Sequence, residues 1–173
     1  MPIAWLDGES LTVPTVVAVA RREATPKLAD QARARMERSA AWVDRAARGE
    51  IAGPDGQPLQ VYGVNTGYGS LARVRIDQDR IRELSWNLIR SHAAGVGPPV
   101  PSEQARAMMV LRANALAKGA SGCRPVVVDT LCAMLARGVV PEIPSRGSCG
   151  SSGDLAPLAH LGLVVFDEAS QIP

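Results

Sequence analysis

Apolar and polar positions alternate briefly at the start of the chain and then settle into a helical period. Ile3-Ala4-Trp5-Leu6 followed by Asp7-Gly8-Glu9-Ser10 predicts a short strand and a turn, with Leu11-Thr12-Val13 as the returning partner. Thr15 is placed to cap a short helix through Arg22. Thr25-Pro26 offers a cap and a first-position proline for a longer helix running to Arg48, where Gly49 stops it. Gly53-Pro54-Asp55-Gly56 predicts a loop, and Leu59-Gln60-Val61-Tyr62 is strand-like. Asp77 to Ala94 predicts a helix ended by Gly95 and Gly97-Pro98-Pro99. Ser102 caps another reaching Lys118, with Ala105, Met108, Met109, Leu111 and Leu116 at helical spacing. Pro125 opens a third, through Arg137 to Gly138, and Asp154 starts a last, apolar helix through Phe166.

The reading is mainly α, with a small β element near the start and two Gly-rich interruptions, residues 62–70 and 145–153. Three glycines, an asparagine and a threonine within Tyr62–Ser70 rule out a regular element there. No internal repeat or low-complexity segment occurs.

Composition narrows the class. The 173 residues suffice for one domain, read as 1–173, and with 46% hydrophobic but only 3% aromatic residues its core rests on Ala, Val and Leu. A net charge of +2, from 19 basic and 17 acidic residues, gives no argument for nucleic acid or an anionic membrane. The arginines at 33, 35, 38, 45 and 48 are interleaved with Asp30, Glu37 and Asp44, as on a solvated helix face. Cys123, Cys132 and Cys149 lack metal-ligand spacing, so no metal site is expected, and they read as reduced thiols of a cytoplasmic protein. The start is not that of a signal peptide, and no apolar run reaches the roughly 20 residues of a membrane span.

Candidate chemistry concentrates in Gly147-Ser148-Cys149-Gly150-Ser151-Ser152-Gly153-Asp154. A phosphate cradle wants a lysine after the glycines, where Asp154 stands. A dinucleotide fingerprint fails on spacing, and a hydrolase elbow fails because neither Ser151 nor Ser152 sits in G-x-S-x-G. From composition alone a flexible turn before a helix accounts for the segment. A fourth reading uses every residue. In X-Ser-Gly, a tightly bent backbone lets the Gly nitrogen attack the carbonyl of X. Loss of one water closes a five-membered ring, and loss of a second from the Ser side chain leaves an exocyclic methylidene. Glycine suits the close approach, serine carries the leaving hydroxyl, and the dipole of the following helix makes the ring electron-poor.

The segment Gly147 to Asp154, continued by Leu155-Ala156-Pro157-Leu158-Ala159-His160, resembles the signature of the histidine and aromatic amino-acid ammonia-lyases, which carry a methylidene-imidazolone formed in this way. Tyr62-Gly63-Val64-Asn65-Thr66-Gly67-Tyr68-Gly69 resembles a second signature, Ser91-His92-Ala93-Ala94-Gly95-Val96-Gly97 a third and Gly119-Ala120-Ser121-Gly122 a fourth, in family order and over nearly the whole chain. Two positions depart: the family usually has Ala where Ser151 stands and Val or Leu at Cys149. Neither blocks the cyclisation.

The resemblance implies that Ser151, Ser152 and Gly153 supply the ring, that Asp154 assists its formation, and that Tyr62 is the catalytic base or proton shuttle near the substrate's β-carbon. It also implies that Ser91, His92 and Gly69 contact substrate. Ser-His at 91–92 is similar to histidine-specific members, where tyrosine-selective ones tend to have His-Leu and phenylalanine-selective ones Phe-Leu. The implied reaction is L-histidine to urocanate and ammonia, with a phenylalanine or tyrosine lyase, an aminomutase using the same ring, or a catalytically silent partner subunit as alternatives.

The family's N-G-T segment, its Q-D-x-Y-S-x-R loop and a later acidic residue, which complete the site partly from neighbouring subunits, are not among these 173 residues. The implied fold is therefore the N-terminal part of an ammonia-lyase-type helical fold, completed by another chain or by a C-terminal region, within a higher oligomer. The apolar helix 155–166 is expected to expose a large patch by itself.

Overall fold

A threonine decides how the chain leaves its first strand. In the computed structural model, which describes residues 1–149 and 153–166, Thr12 is extended and its hydroxyl accepts from the Thr15 amide at 3.4 Å, with Pro14 in the first turn. Residues 11–13 are therefore not a returning strand. Thr12, rather than Thr15, is the cap, and helix α1 spans Val13–Ala20. Strand β1 (Ile3–Leu6) finds its partner beyond that helix, in β2 (Thr25–Leu28), as a parallel pair with Ile3 opposite Thr25 and Leu6 opposite Leu28. Thr25-Pro26 thus begins a strand, not a helix. Pro26 is tolerated because a two-stranded sheet is all edge.

Helix α2 starts later, at Asp30–Ala47, without a side-chain cap but with Asp30 in its first turn, where a carboxylate complements the dipole. Residues 59–62 form no strand; that neighbourhood holds one isolated bridge, Ala52 to Pro58. The expected helix from Asp77 resolves into a 3-10 turn (Gln78–Arg80) and α3 (Ile81–His92). Next come β3 (Val96–Pro99), α4 (Ser102–Ala117), α5 (Pro125–Arg137), β4 (Pro144–Arg146) and α6 (Leu155–Val165). The antiparallel β3–β4 ribbon, with Val96 opposite Arg146, was not expected in a stretch so rich in Pro and Gly.

The core lies between α4, α5, α1 and the β1–β2 pair. Leu6, Val19, Met36, Met109, Val110, Val128, Leu131 and Leu135 are fully buried there, and Ala32, Ala105, Ala113 and Ala117 let the helices approach closely. Arg33 on α2 forks onto Asp129 of α5 through two bonds of 2.9 and 2.7 Å. Arg106 on α4 is buried among these elements, paired with no carboxylate among the described residues. Its guanidinium donates to the carbonyls of Val19, Ala20 and Leu135, at the ends of α1 and α5. Val19 and Leu135 also accept the amides of Arg22 and Gly138, so the guanidinium shares those two end carbonyls with the backbone.

Helices α3 and α6 pack on each other as a second layer. The apolar last helix is half covered: Pro157, Ala159 and Leu161 are buried, whereas Leu155, Val164 and Phe166 are exposed. An open groove of about 520 Å³ runs beside it, lined by Ile89, Leu116, Val127, Leu131, Leu161 and Phe166 among others. Among the described residues no helix is long and apolar enough to cross a membrane.

Candidate active site

Two Gly-rich segments and one helix end carry the candidate residues, and backbone geometry positions them. Gly150, Ser151 and Ser152 lie outside the described residues; Cys149 and Gly153 do not. Cys149 and Gly153 pair as an isolated antiparallel bridge. Gly153 has φ +76°, a left-handed conformation that an L side chain rarely adopts. Asp154 follows as the N-cap residue of α6, yet its carboxylate does not cap the helix. It accepts a hydrogen bond from the Ser148 hydroxyl, reaching back across the loop. Ser148 lies inside the first signature, and its pairing with Asp154 is visible only in the fold. Cys149 is exposed.

Ser91 and His92 close α3. The Ser91 hydroxyl donates to the Leu88 carbonyl at 2.9 Å, and His92 Nδ1 lies 2.8 Å from that same carbonyl and 3.0 Å from Ser91 Oγ. With Nδ1 donating to a carbonyl, the neutral ring carries its proton there and leaves Nε2 as an acceptor. Among the described residues Nε2 has no hydrogen-bond partner. His92 therefore presents a single imidazole lone pair with its ring orientation set by the helix end.

The fold brings this helix end to the loop at 147–154. Beyond His92 the chain enters β3, which pairs with β4, and β4 leads into Gly147. The Gly95 amide donates to Nε2 of His160 on α6 at 3.1 Å. The backbones of Gly95 and Gly147 pass so closely that a Cβ on Gly147 would lie 3.1 Å from Gly95 Cα. His160 lies at the end of the first signature, and the sequence alone assigns it no role.

The Tyr62–Gly69 loop is built around its buried polar residues. Asn65 accepts from the Val61 amide and donates to the carbonyls of Ala46 and Leu59, tying the loop to the end of α2. Thr66 is buried beside it and donates to the Gly67 carbonyl. Tyr62 is 61% exposed, stacks edge-on with Tyr68 at 5.9 Å between ring centroids, and accepts a long hydrogen bond of 3.4 Å from the Gly69 amide. Gly69 opens a 3-10 turn, Gly69–Leu71. Among the described residues no hydrogen bond joins Tyr62 or Gly69 to Ser91, His92, Gly153 or Asp154. A hydrogen bond thus joins the third signature to the first, while Tyr68 of the second meets Leu158 of the first only as a wall of the groove beside α6.

Comparison with known proteins places this geometry. Residues 11–171 match the family described as aromatic amino acid lyase. The chain is 55% identical over 168 residues to the histidine ammonia-lyase of Anaeromyxobacter sp. (strain K), an alignment covering 97% of this chain and 32% of that enzyme. Among solved structures it is similar to tyrosine aminomutase from Streptomyces globisporus (TM-score 0.80, 39% identity, 93% of this chain and 28% of that one). It is also similar to histidine ammonia-lyase from Trypanosoma cruzi (TM-score 0.78, 39% identity, 94% and 29%). The chain spans about a third of the length of the relatives it matches. With its signatures in order, its helical fold shared and nearly its whole length matched, this chain belongs to the aromatic amino acid lyase family.

Proposed function

We propose that residues 1–173 form the cofactor-bearing N-terminal domain of a cytoplasmic histidine ammonia-lyase, which eliminates ammonia from L-histidine to give urocanate. The observation that carries the substrate is the end of α3. Nε2 of His92 is an acceptor with its ring already oriented, and an imidazole N–H of the substrate is a matching donor. The 55% identity to a histidine ammonia-lyase supports the same choice.

The residues flanking 151–152 fit a ring built from Ser151, Ser152 and Gly153. The Cys149–Gly153 bridge and the left-handed Gly153 support the tight bend that cyclisation needs, and α6 begins two residues later. The methylidene-imidazolone, once formed, supplies the electrophile that activates the amino group for departure. Asp154, held by Ser148, positions a carboxylate beside the loop for the proton movements of dehydration. Tyr62 takes the proton from the substrate's β-carbon, on a loop whose exposure leaves it free to close over substrate, with Gly69 lining the same turn. Ser91 and His92 orient the substrate side chain. The groove beside α6 and the exposed Leu155, Val164 and Phe166 accept the remaining two-thirds of the family fold, from a C-terminal region or a second chain within a higher oligomer.

The test is to supply the completed enzyme with L-histidine and follow urocanate and ammonia together. Absence of both from a folded, ring-bearing enzyme overturns the assignment. The likeness to a tyrosine aminomutase favours a second reading, an aminomutase on the same ring, which a β-amino acid product would establish.

A further inference from the structure

His160 stands outside the proposed chemistry, yet it joins the two segments that carry it. Its ring lies on α6, one helical turn after Ala156, and Nε2 accepts the Gly95 amide hydrogen at 3.1 Å across 65 residues of chain. Gly95 is three residues past His92, at the exit of α3. The surrounding space is filled by backbone and small side chains. A Cβ on Gly95 would fall 3.0 Å from His160 Nε2 and 3.1 Å from Pro144 Cβ, and one on Gly147 would fall 3.0 Å from Ala156 Cβ. The α3 exit, the entry to the loop 147–154 and one face of α6 therefore meet so tightly that an added Cβ would make its neighbours shift by a few tenths of an ångström. Van der Waals contact sets how close these backbones come, whereas a hydrogen bond also sets direction. The bond requires an unprotonated Nε2, and hence a neutral ring with its proton on Nδ1.

We infer that His160 is a positioning residue: by accepting the Gly95 amide it fixes the α3 exit, and with it the orientation of Ser91-His92, against the loop that carries Ser151-Ser152-Gly153. The functional half of this inference rests on the lyase reading; the contact itself does not. A phenyl ring at 160 fills the same space and accepts nothing. A glutamine carries an oxygen near the place of Nε2 and restores the acceptor.

The experiment uses the completed enzyme with His160→Phe and His160→Gln, read in two ways. Amide hydrogen exchange at Gly95 should accelerate roughly tenfold in the Phe variant, as expected for one lost hydrogen bond, and stay near wild type in the Gln variant. For L-histidine, the Phe variant should raise KM about tenfold with a smaller loss of kcat and an unchanged near-ultraviolet ring band, and the Gln variant should recover KM. Unchanged exchange at Gly95 in the Phe variant overturns the inference. So does faster exchange with an unaltered KM, or a Gln variant no better than Phe. Wild-type enzyme that releases no ammonia from histidine overturns the lyase reading instead, and exchange at Gly95 still decides whether His160 holds the junction.

Discussion

Arg106 gives the sharpest test of how the fold is held together. Arg106 is 4% exposed, and its guanidinium faces three carbonyls, Ala20 at 2.9 Å, Val19 at 2.9 Å and Leu135 at 3.1 Å, with no carboxylate paired to it among the described residues. Burial, with Arg22 nearby, pulls its affinity for the proton below the ordinary arginine value. Burying a cation is unfavourable, so the three bonds must outweigh that cost. Replacing Arg106 with Met keeps much of the stem and removes every donor. Hydrogen bonds to a charged group contribute about 1.5–3 kcal/mol each, so three give roughly 4–9 kcal/mol. Relief of the buried charge returns several of these. A net loss of about 2–4 kcal/mol follows, a large part of a typical domain's stability. Denaturant unfolding of wild type, Arg106→Met and Arg106→Lys measures it. Lys supplies one point charge where Arg supplies a fork, so it should fall between the other two. If the Met variant lies within about 0.5 kcal/mol of wild type, or is more stable, the carbonyl clamp is not what fastens α1 and α5 to α4.

Three further outcomes follow from the site and its surroundings. The intact mass of the completed protein should fall by two waters with a near-ultraviolet band, and Ser152→Ala should keep the encoded mass and lack the band; a native protein of unaltered mass would sink the ring. His92→Leu should lower kcat/KM for L-histidine about 10–100-fold, as for one lost polar contact in the transition state, and leave the ring band in place; normal turnover of histidine would remove His92 from substrate reading. Hydrogen bonds from the Ser10 hydroxyl and amide and the Glu9 amide lower the pKa of Asp7 to about 2. A lowered folded value stabilises the protein above the unfolded pKa of about 3.9, and the benefit is lost as pH falls from there toward 2. Asp7→Asn should flatten that part of the pH–stability curve by less than about 1 kcal/mol, because the site is wet, and an unchanged acid limb would refute the assignment.

What could be read from the chain, and what could not, divides by the range of the interactions. Pro125 with Gly138 bounds α5 almost to the residue, because both act through their own dihedral angles. Thr25-Pro26 misleads for the same reason: locally it is a helix start, and only pairing with β1, 22 residues earlier, makes it a strand. The β3–β4 ribbon likewise forms between Pro-rich segments whose own preferences do not favour a sheet. The site divides in the same way. The proposed ring draws on three consecutive residues, so Ser152 and Gly153 can be named from their order along the chain, and Gly153 itself is left-handed. Orientation of Ser91-His92 depends on His160, 65 residues from its Gly95 partner, and the closure of α1 on α4 depends on Arg106, 86 residues from Ala20. Neither has a local pattern, and both are polar groups bound to backbone, where the partner's side chain carries no signal. A chemistry that is covalent and local can therefore be inferred from residue order, whereas alignment of that chemistry with its substrate is a property of the packed junction among α3, α6 and the β3–β4 ribbon. Changes at that junction should move substrate recognition while leaving the ring intact.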